Sequence, residues 1–296
     1  MPEHLSYDSQ VPGHPKLVKS LRKLSQNCGE FALWLSAQCG KLTFEPRPDD
    51  VYIASYARSG TTWLQMILYQ MLTDGNMDFQ HITQPVPYFE RALLQGRDLN
   101  KLPSPRIFKT HWRYSKLPKG PYKRIYVARN GKDVLVSCYY FFRAHSPFKG
   151  TFDEFFNKFL VGNVPPGNWF RHVAEWSAHA ADPNVLFLRY EDLTNHFDLT
   201  LRRIADFLGR DISPEKFALI KERSSFQFMK QHEEKFGFLQ EVLLEQGFTG
   251  DAFIRQGKTG SAKEHLSAAQ DSRFDQAASG VIMPAPRETP SRTASA

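Results

Sequence analysis

The chain has 296 residues, 41% of them hydrophobic and 14% aromatic, enough for one α/β domain or two small ones. Its formal net charge of +7 favours anionic partners. No Lys/Arg run with interleaved aromatics is present, which argues against nucleic acid and leaves a polyanionic small ligand. The opening MPEHLSYDSQVPGHPK lacks the apolar stretch of a signal peptide. No run approaches the roughly 18 apolar residues of a membrane span. The three cysteines, Cys28, Cys39 and Cys138, form neither a disulfide framework nor a CxxC metal site. A cytoplasmic protein without a metal is therefore expected, with no membrane or nucleic-acid partner.

Residues 1–45 read as a polar lead-in with a helix around Lys19–Cys39. Val51, Ile53 and Ala54 supply a short apolar strand. A loop at 56–60 follows, and a helix opens at Thr61 with apolar positions Trp63, Leu64, Ile67, Leu68 and Met71. ITQPVPYFE at 82–90 reads as a loop feeding a short helix. Further strands are expected at Arg106–Thr110, Lys123–Ala128 and Val185–Leu188. Asn130 is a good N-cap for a helix through Phe142. Other helices are expected near Phe152–Leu160, Trp169–Ala181, Leu199–Leu208 and Pro214–Glu222. Strands alternating with helices predict one α/β domain over 46–276, a central, mainly parallel sheet flanked by helices. The tail 277–296, rich in Ala, Ser, Pro and Thr, is expected to be disordered. The 24 Phe fit both a Phe-rich core and an apolar pocket.

Chemistry concentrates after the strands, where open α/β sheets bind ligands. The stretch Tyr56-Ala57-Arg58-Ser59-Gly60-Thr61-Thr62-Trp63 joins a strand to a helix N-terminus, whose free N–H groups and dipole attract an anion. Gly60 permits close backbone approach, Ser59, Thr61 and Thr62 add hydroxyls, and Arg58 adds charge. No Lys follows Gly60, so this is not a GxxxxGK[ST] loop. His111, just after the second strand, is the best general-base candidate. Lys109 lies two residues earlier, and strand alternation puts both side chains on one side. Arg129 and Ser137 bracket the start of the next helix and could clamp a second phosphate, or be a surface Arg and a helix Ser. Tyr190 follows the fourth strand. Phe253–Gly260 is a flexible basic loop, an anion clamp or a plain turn.

Six segments, YARSGTTW, FKTH, YVARNGKDVLVSCYYF, RYEDL, RSSFQFM and FIRQGKTG, occur in the order and approximate spacing of the cytosolic sulfotransferases, across roughly residues 45–275. The chain resembles that family. The resemblance implies a P-loop-like phosphosulfate-binding loop and 3′-phosphoadenosine 5′-phosphosulfate (PAPS) as sulfonate donor. It implies transfer to a hydroxyl of a small apolar acceptor, a phenol, steroid or other alcohol. It maps the 5′-phosphosulfate loop onto Arg58, Ser59, Gly60, Thr61 and Thr62, and an adenine-stacking ring onto Trp63. His111 becomes the base and Lys109 the lysine beside the sulfonate. Arg129 and Ser137 become the 3′-phosphate clamp and Tyr190 an adenine-site tyrosine. Ser224 stands where the family often has Thr, with Phe226 as a second adenine ring, and Arg255, Gln256 and Gly257 fall on its RKG. Tyr88, Phe89, Tyr140, Phe141 and Phe142 are candidates for the acceptor pocket.

Two departures stand out. Arg58 replaces a loop lysine and Gln256 replaces the lysine of RKG. The family's dimerisation motif is poorly kept from Lys263 to Ser272, so a monomer or weak homodimer is expected. A nucleotide-binding protein without turnover and a P-loop-type small-molecule kinase are the alternatives.

Overall fold

Alternate residues of four short strands are apolar on both faces, so the sheet can only be stable when covered on both sides. The computed structural model describes residues 43–146, 148–237 and 259–284. In it, β1 (Val51–Ser55), β2 (Ile107–Thr110), β3 (Lys123–Ala128) and β4 (Val185–Arg189) form one parallel sheet in the order β2-β1-β3-β4. Val51 pairs with Ile107 on one side and Lys123 on the other. The chain leaves β1 first to one side and then returns to the other, so β1 is the topological switch point, and a crevice opens at its C-terminal end.

Val51, Ile53, Ile125, Val127, Leu186 and Leu188 point to one face and join Leu64, Ile67 and Leu68 of α1 (Thr61–Leu72). Tyr52, Ala54, Phe108, Tyr126 and Phe187 point to the other, where the core is mostly aromatic. Phe89, the first residue of α2 (Phe89–Leu94), sits in that layer with its ring 5.0 Å from Phe44 and 5.4 Å from Phe108. Phe89 is fully buried there. The phenylalanines thus serve the core in good part.

α3 (Gly131–His145) starts as its cap predicts. The Asn130 side chain accepts from the N–H groups of Lys132 and Asp133, and the helix runs a turn beyond Phe142. α4 (Phe152–Leu160) opens on a capping box of Thr151 and Glu154. α5 (Trp169–Ala178) ends before the expected Ala181. α6 (Tyr190–Asn195), α7 (Phe197–Leu208), α8 (Pro214–Arg223) and α9 (Phe226–Gln231) follow β4. At the edge of the sheet away from the crevice, Arg106 and Asp50 form a fully buried ion pair, Nε to Oδ1 at 2.6 Å. Removing one partner of such a pair costs about 3–5 kcal/mol.

Two observations bear on the ends of the domain. Phe44 already belongs to the core, and α10 (Ala268–Ala278) crosses residue 276. Beyond it Arg189 Nη2 donates to the carbonyls of Met283 and Pro284 at 3.1 and 3.3 Å, and the rest of the expected tail, 285–296, lies outside the described residues. The expected helix at Lys19–Cys39 lies outside the described residues. No helix among the described residues is long and apolar enough to cross a membrane.

Candidate active site

Four strand ends meet at the crevice. β1 delivers the loop 56–60 and the start of α1. Arg58 sits in the left-handed region at φ 67° and Gly60 at φ 93°. Glycine is needed at 60 for a second reason: a Cβ there would lie 2.6 Å from Cδ2 of Tyr190. No side chain caps α1, which leaves its first-turn N–H groups and dipole end for a ligand. The Ser59 hydroxyl is buried with no hydrogen-bond partner among the described residues. Such an orphan is expected where an oxyanion binds. Thr61 differs from expectation. Its hydroxyl lies 2.5 Å from Ser55 Oγ, which in turn donates to the Tyr56 carbonyl, so the Thr61 proton is directed to the strand end. Thr61 can serve a ligand through its backbone.

β2 delivers Lys109 and His111. Both flank the ring of Tyr88, with the His111 ring centroid 5.3 Å and Lys109 Nζ 5.1 Å from its centre. Nδ1 of His111 donates to the Ser55 carbonyl at 2.8 Å, so Nε2 is the nitrogen that keeps a lone pair. Burial, and then the charge of Lys109, push the imidazole down to about 3. It is therefore neutral at physiological pH. The His111 peptide is held on both sides by residues that no sequence motif marks. Glu90 Oε1 accepts from its N–H at 2.6 Å, and His172 Nε2 donates to its carbonyl at 3.1 Å.

β3 and α3 deliver Arg129, Ser137 and Phe141. Arg129 Nη1 donates to the Arg58 carbonyl at 3.0 Å, and its guanidinium lies 4.5 Å from the centre of the Tyr190 ring. Arg58 Nε donates to Ser137 Oγ at 3.3 Å, with its guanidinium 4.8 Å above Phe141. Ser137 and Phe141 are one turn apart and share a face of α3. Ser137 thus meets Arg58 rather than Arg129, though both cations stand at the same helix start. Of the neighbours of Phe141 on α3, Tyr140 has its Oη 3.4 Å from His265 Nδ1, and Phe142 lies edge-on to Phe141 at 5.4 Å and packs against Phe155 with centroids 6.1 Å apart.

β4 delivers Tyr190, edge-on to Trp63 at 5.7 Å. Trp63 stacks on Phe197 and donates through Nε1 to the Ser224 carbonyl at 2.8 Å. Ser224 is buried, its hydroxyl donating to the Ile220 carbonyl, and Phe226 is about half exposed. Arg255, Gln256 and Gly257 lie outside the described residues. Among the described residues no group of three or more His, Cys, Asp or Glu could hold a metal ion.

Sheet, switch point and cradle together define an α/β enzyme with a phosphate-binding loop. The sulfotransferase domain model matches residues 48–282, and the chain belongs to the sulfotransferase family. It is 37% identical to human sulfotransferase 1E1 over 247 residues, 79% of this chain and 83% of that one. To mouse sulfotransferase 1B1 it is 40% identical over 203 residues, 64% of this chain and 68% of that one. Among solved structures, mouse SULT7A1 complexed with PAP superposes with a TM-score of 0.66 at 28% identity, covering 82% of this chain and 86% of that one. Retinol dehydratase in complex with androsterone and inactive cofactor PAP gives a TM-score of 0.71 at 25% identity, covering 83% and 84%.

Proposed function

We propose that this protein transfers a sulfonate from PAPS to the hydroxyl of a small apolar acceptor, with His111 as general base. The observation that carries this reading is the His111 ring, neutral and aimed by Ser55, beside Lys109 and the uncapped start of α1. SULT7A1 and retinol dehydratase were solved with PAP, and the latter with androsterone and with retinol, which supports a 3′-phosphorylated adenine nucleotide and an apolar alcohol here.

The donor supplies a sulfonate on a phosphate leaving group. The chain holds it with the Ser59 hydroxyl, the N–H groups of the first turn of α1 and Arg58. Arg129, with Ser137, Arg255, Gln256 and Gly257, takes the 3′-phosphate, while Trp63, Tyr190, Ser224 and Phe226 take the adenine. His111 Nε2 removes the acceptor proton as the acceptor oxygen bonds to sulfur and the bond from sulfur to the bridging oxygen breaks. Lys109 and Arg58 stabilise negative charge developing on the sulfonate and bridging oxygens. A donor anion beside Lys109 also offsets the charge that lowers the His111 basicity. Tyr88 and Phe141 flank the acceptor position. A cytoplasmic monomer or weak homodimer completes the reading.

The test is sulfonate transfer from PAPS to a panel of phenols, sterols and alkanols. Transfer that disappears without the donor supports the proposal. Tight nucleotide binding without transfer to any acceptor would make this a binding protein, and phosphoryl transfer from ATP would make it a kinase.

A further inference from the structure

The ladder of β2 ends at Thr110, which is the last residue paired with β1. Past that point the chain is still partly buried, and its peptide groups need partners from outside the sheet. Side chains supply all of them. The His111 N–H goes to Glu90 Oε1 and its carbonyl receives His172 Nε2. The Trp112 N–H goes to Thr110 Oγ1 at 3.0 Å and its carbonyl receives Trp176 Nε1 at 3.2 Å. Glu90 Oε1 also accepts from Thr110 Oγ1 at 2.8 Å. His172 is itself fixed, because its Nδ1 lies 3.0 Å from the Tyr126 hydroxyl.

A carboxylate is a costly residue for a buried position. Glu90 is 8% exposed, its Oε2 has no hydrogen-bond partner among the described residues, and burial raises its carboxyl to about 7. An apolar residue would fill α2 at lower cost. A carboxylate oxygen is, however, a stronger and shorter-range acceptor than a neutral group. The feature it fixes is the peptide that carries the base.

We propose that Glu90 and His172 are positioning residues for His111. They grip the two peptide groups that flank its Cα, and so hold its ring at the angle where Nδ1 meets Ser55 and Nε2 faces the acceptor. Neither touches the reacting atoms. The turnover arm of the test rests on the sulfotransferase reading; the spectroscopic arm does not.

The experiment compares the full chain with Glu90→Ala, Glu90→Gln and His172→Phe. Three readouts are taken: kcat with PAPS and a phenol, PAP affinity, and the 15N shifts of the His111 ring. The wild type shows a single Nδ1–H tautomer. Glu90→Ala loosens the peptide, mixes the tautomers and lowers kcat by about 10²-fold, the cost of a misplacement near 1 Å, while PAP affinity stays. Glu90→Gln keeps an accepting oxygen, keeps the tautomer and stays within about tenfold, because a neutral acceptor replaces the carboxyl without losing the hydrogen bond. His172→Phe mixes the tautomers in the same way, and decides the matter if Glu90→Ala does not fold. Unchanged ring shifts in Glu90→Ala or His172→Phe overturn the proposal, whatever happens to kcat. Absence of turnover in the wild type would overturn the sulfotransferase reading while the ring shifts still test the grip.

Discussion

The Nδ1 of His111 and the carbonyl of Ser55 are 2.8 Å apart, and they join the ends of two neighbouring strands. The last peptide of β1 therefore sets the tautomer of a residue beyond β2. The same segment of chain that shapes the anion loop also directs the base, so loop and base keep a fixed relation.

On the proposed reading, replacing His111 by Ala should abolish transfer and leave PAP binding intact, because the imidazole would act on the acceptor side. General-base contributions are about 10²–10⁴-fold. Turnover measured at saturating donor should fall in that range, with the PAP dissociation constant unchanged by calorimetry. A variant keeping a tenth of wild-type turnover would remove His111 from that role.

Gly60→Ala forces a side chain into a positive φ and onto the Tyr190 ring. Backbone strain of this kind costs about 1–3 kcal/mol, and the ring must move as well. The variant should melt earlier and bind PAP more weakly. Adding Tyr190→Ala removes the collision but not the strain, so thermal stability against Gly60→Ala alone separates the two contributions after allowing for Tyr190→Ala by itself.

Arg58 replaces the loop lysine expected from the family pattern. An arginine side chain stays protonated, so it can clamp an anion but not share a proton. Arg58→Lys should remain active in single-turnover transfer at saturating donor, and Arg58→Ala should lose affinity and rate. If Ala matches Arg in rate, leaving-group stabilisation rests on Lys109 and the α1 N-terminus. If Lys is inactive, the loop depends on the guanidinium bonded to Ser137 and resting on Phe141.

Much of this was legible because strands and helices here follow local pattern. Lys123–Ala128 is apolar where a buried strand must be, and Asn130 caps the next helix through its own side chain. The cradle was legible as a strand–loop–helix spacing. Glu90 and His172 were not, because each lies on a helix with apolar neighbours and reaches His111 only once the sheet has placed α2 and α5 beside it. The place of Phe89 between Phe44 and Phe108 was hidden for the same reason, since an aromatic beside a loop has no visible partner until the sheet supplies one. Thr61 shows that a hydroxyl in a phosphate-loop pattern can be turned to the strand behind it.

Stability should depend on acid in a way that isolates Glu90. Burial holds His111 down to about 3 and His172 to about 4, from an ordinary 6.5. Below about pH 6.5 the unfolded chain takes up two protons that the folded chain refuses, so these groups make stability fall as pH falls. Glu90 acts oppositely: burial raises it from 4.5 to about 7, so between those values the folded state holds the extra proton and stability rises as pH falls. The net slope from these groups between pH 4.5 and 6.5 is about one proton, or about 1.4 kcal/mol per pH unit. Glu90→Gln should steepen it to about two in denaturant unfolding across that range. An unchanged slope would mean that Glu90 titrates normally.

Because β1 lies between β2 and β3, its alignment is read twice, by Ile107 on one flank and Lys123 on the other. Side chains alternate along a strand, so a slip of one residue would exchange its two faces. A single deletion inside Val51–Ser55 would thus displace the anion loop, turn Ser55 away from His111 and part Arg129 from the Arg58 carbonyl together. Changes of acceptor preference are better sought in loops that hang from the strand ends, where insertions and deletions leave the spacing of the four strands untouched.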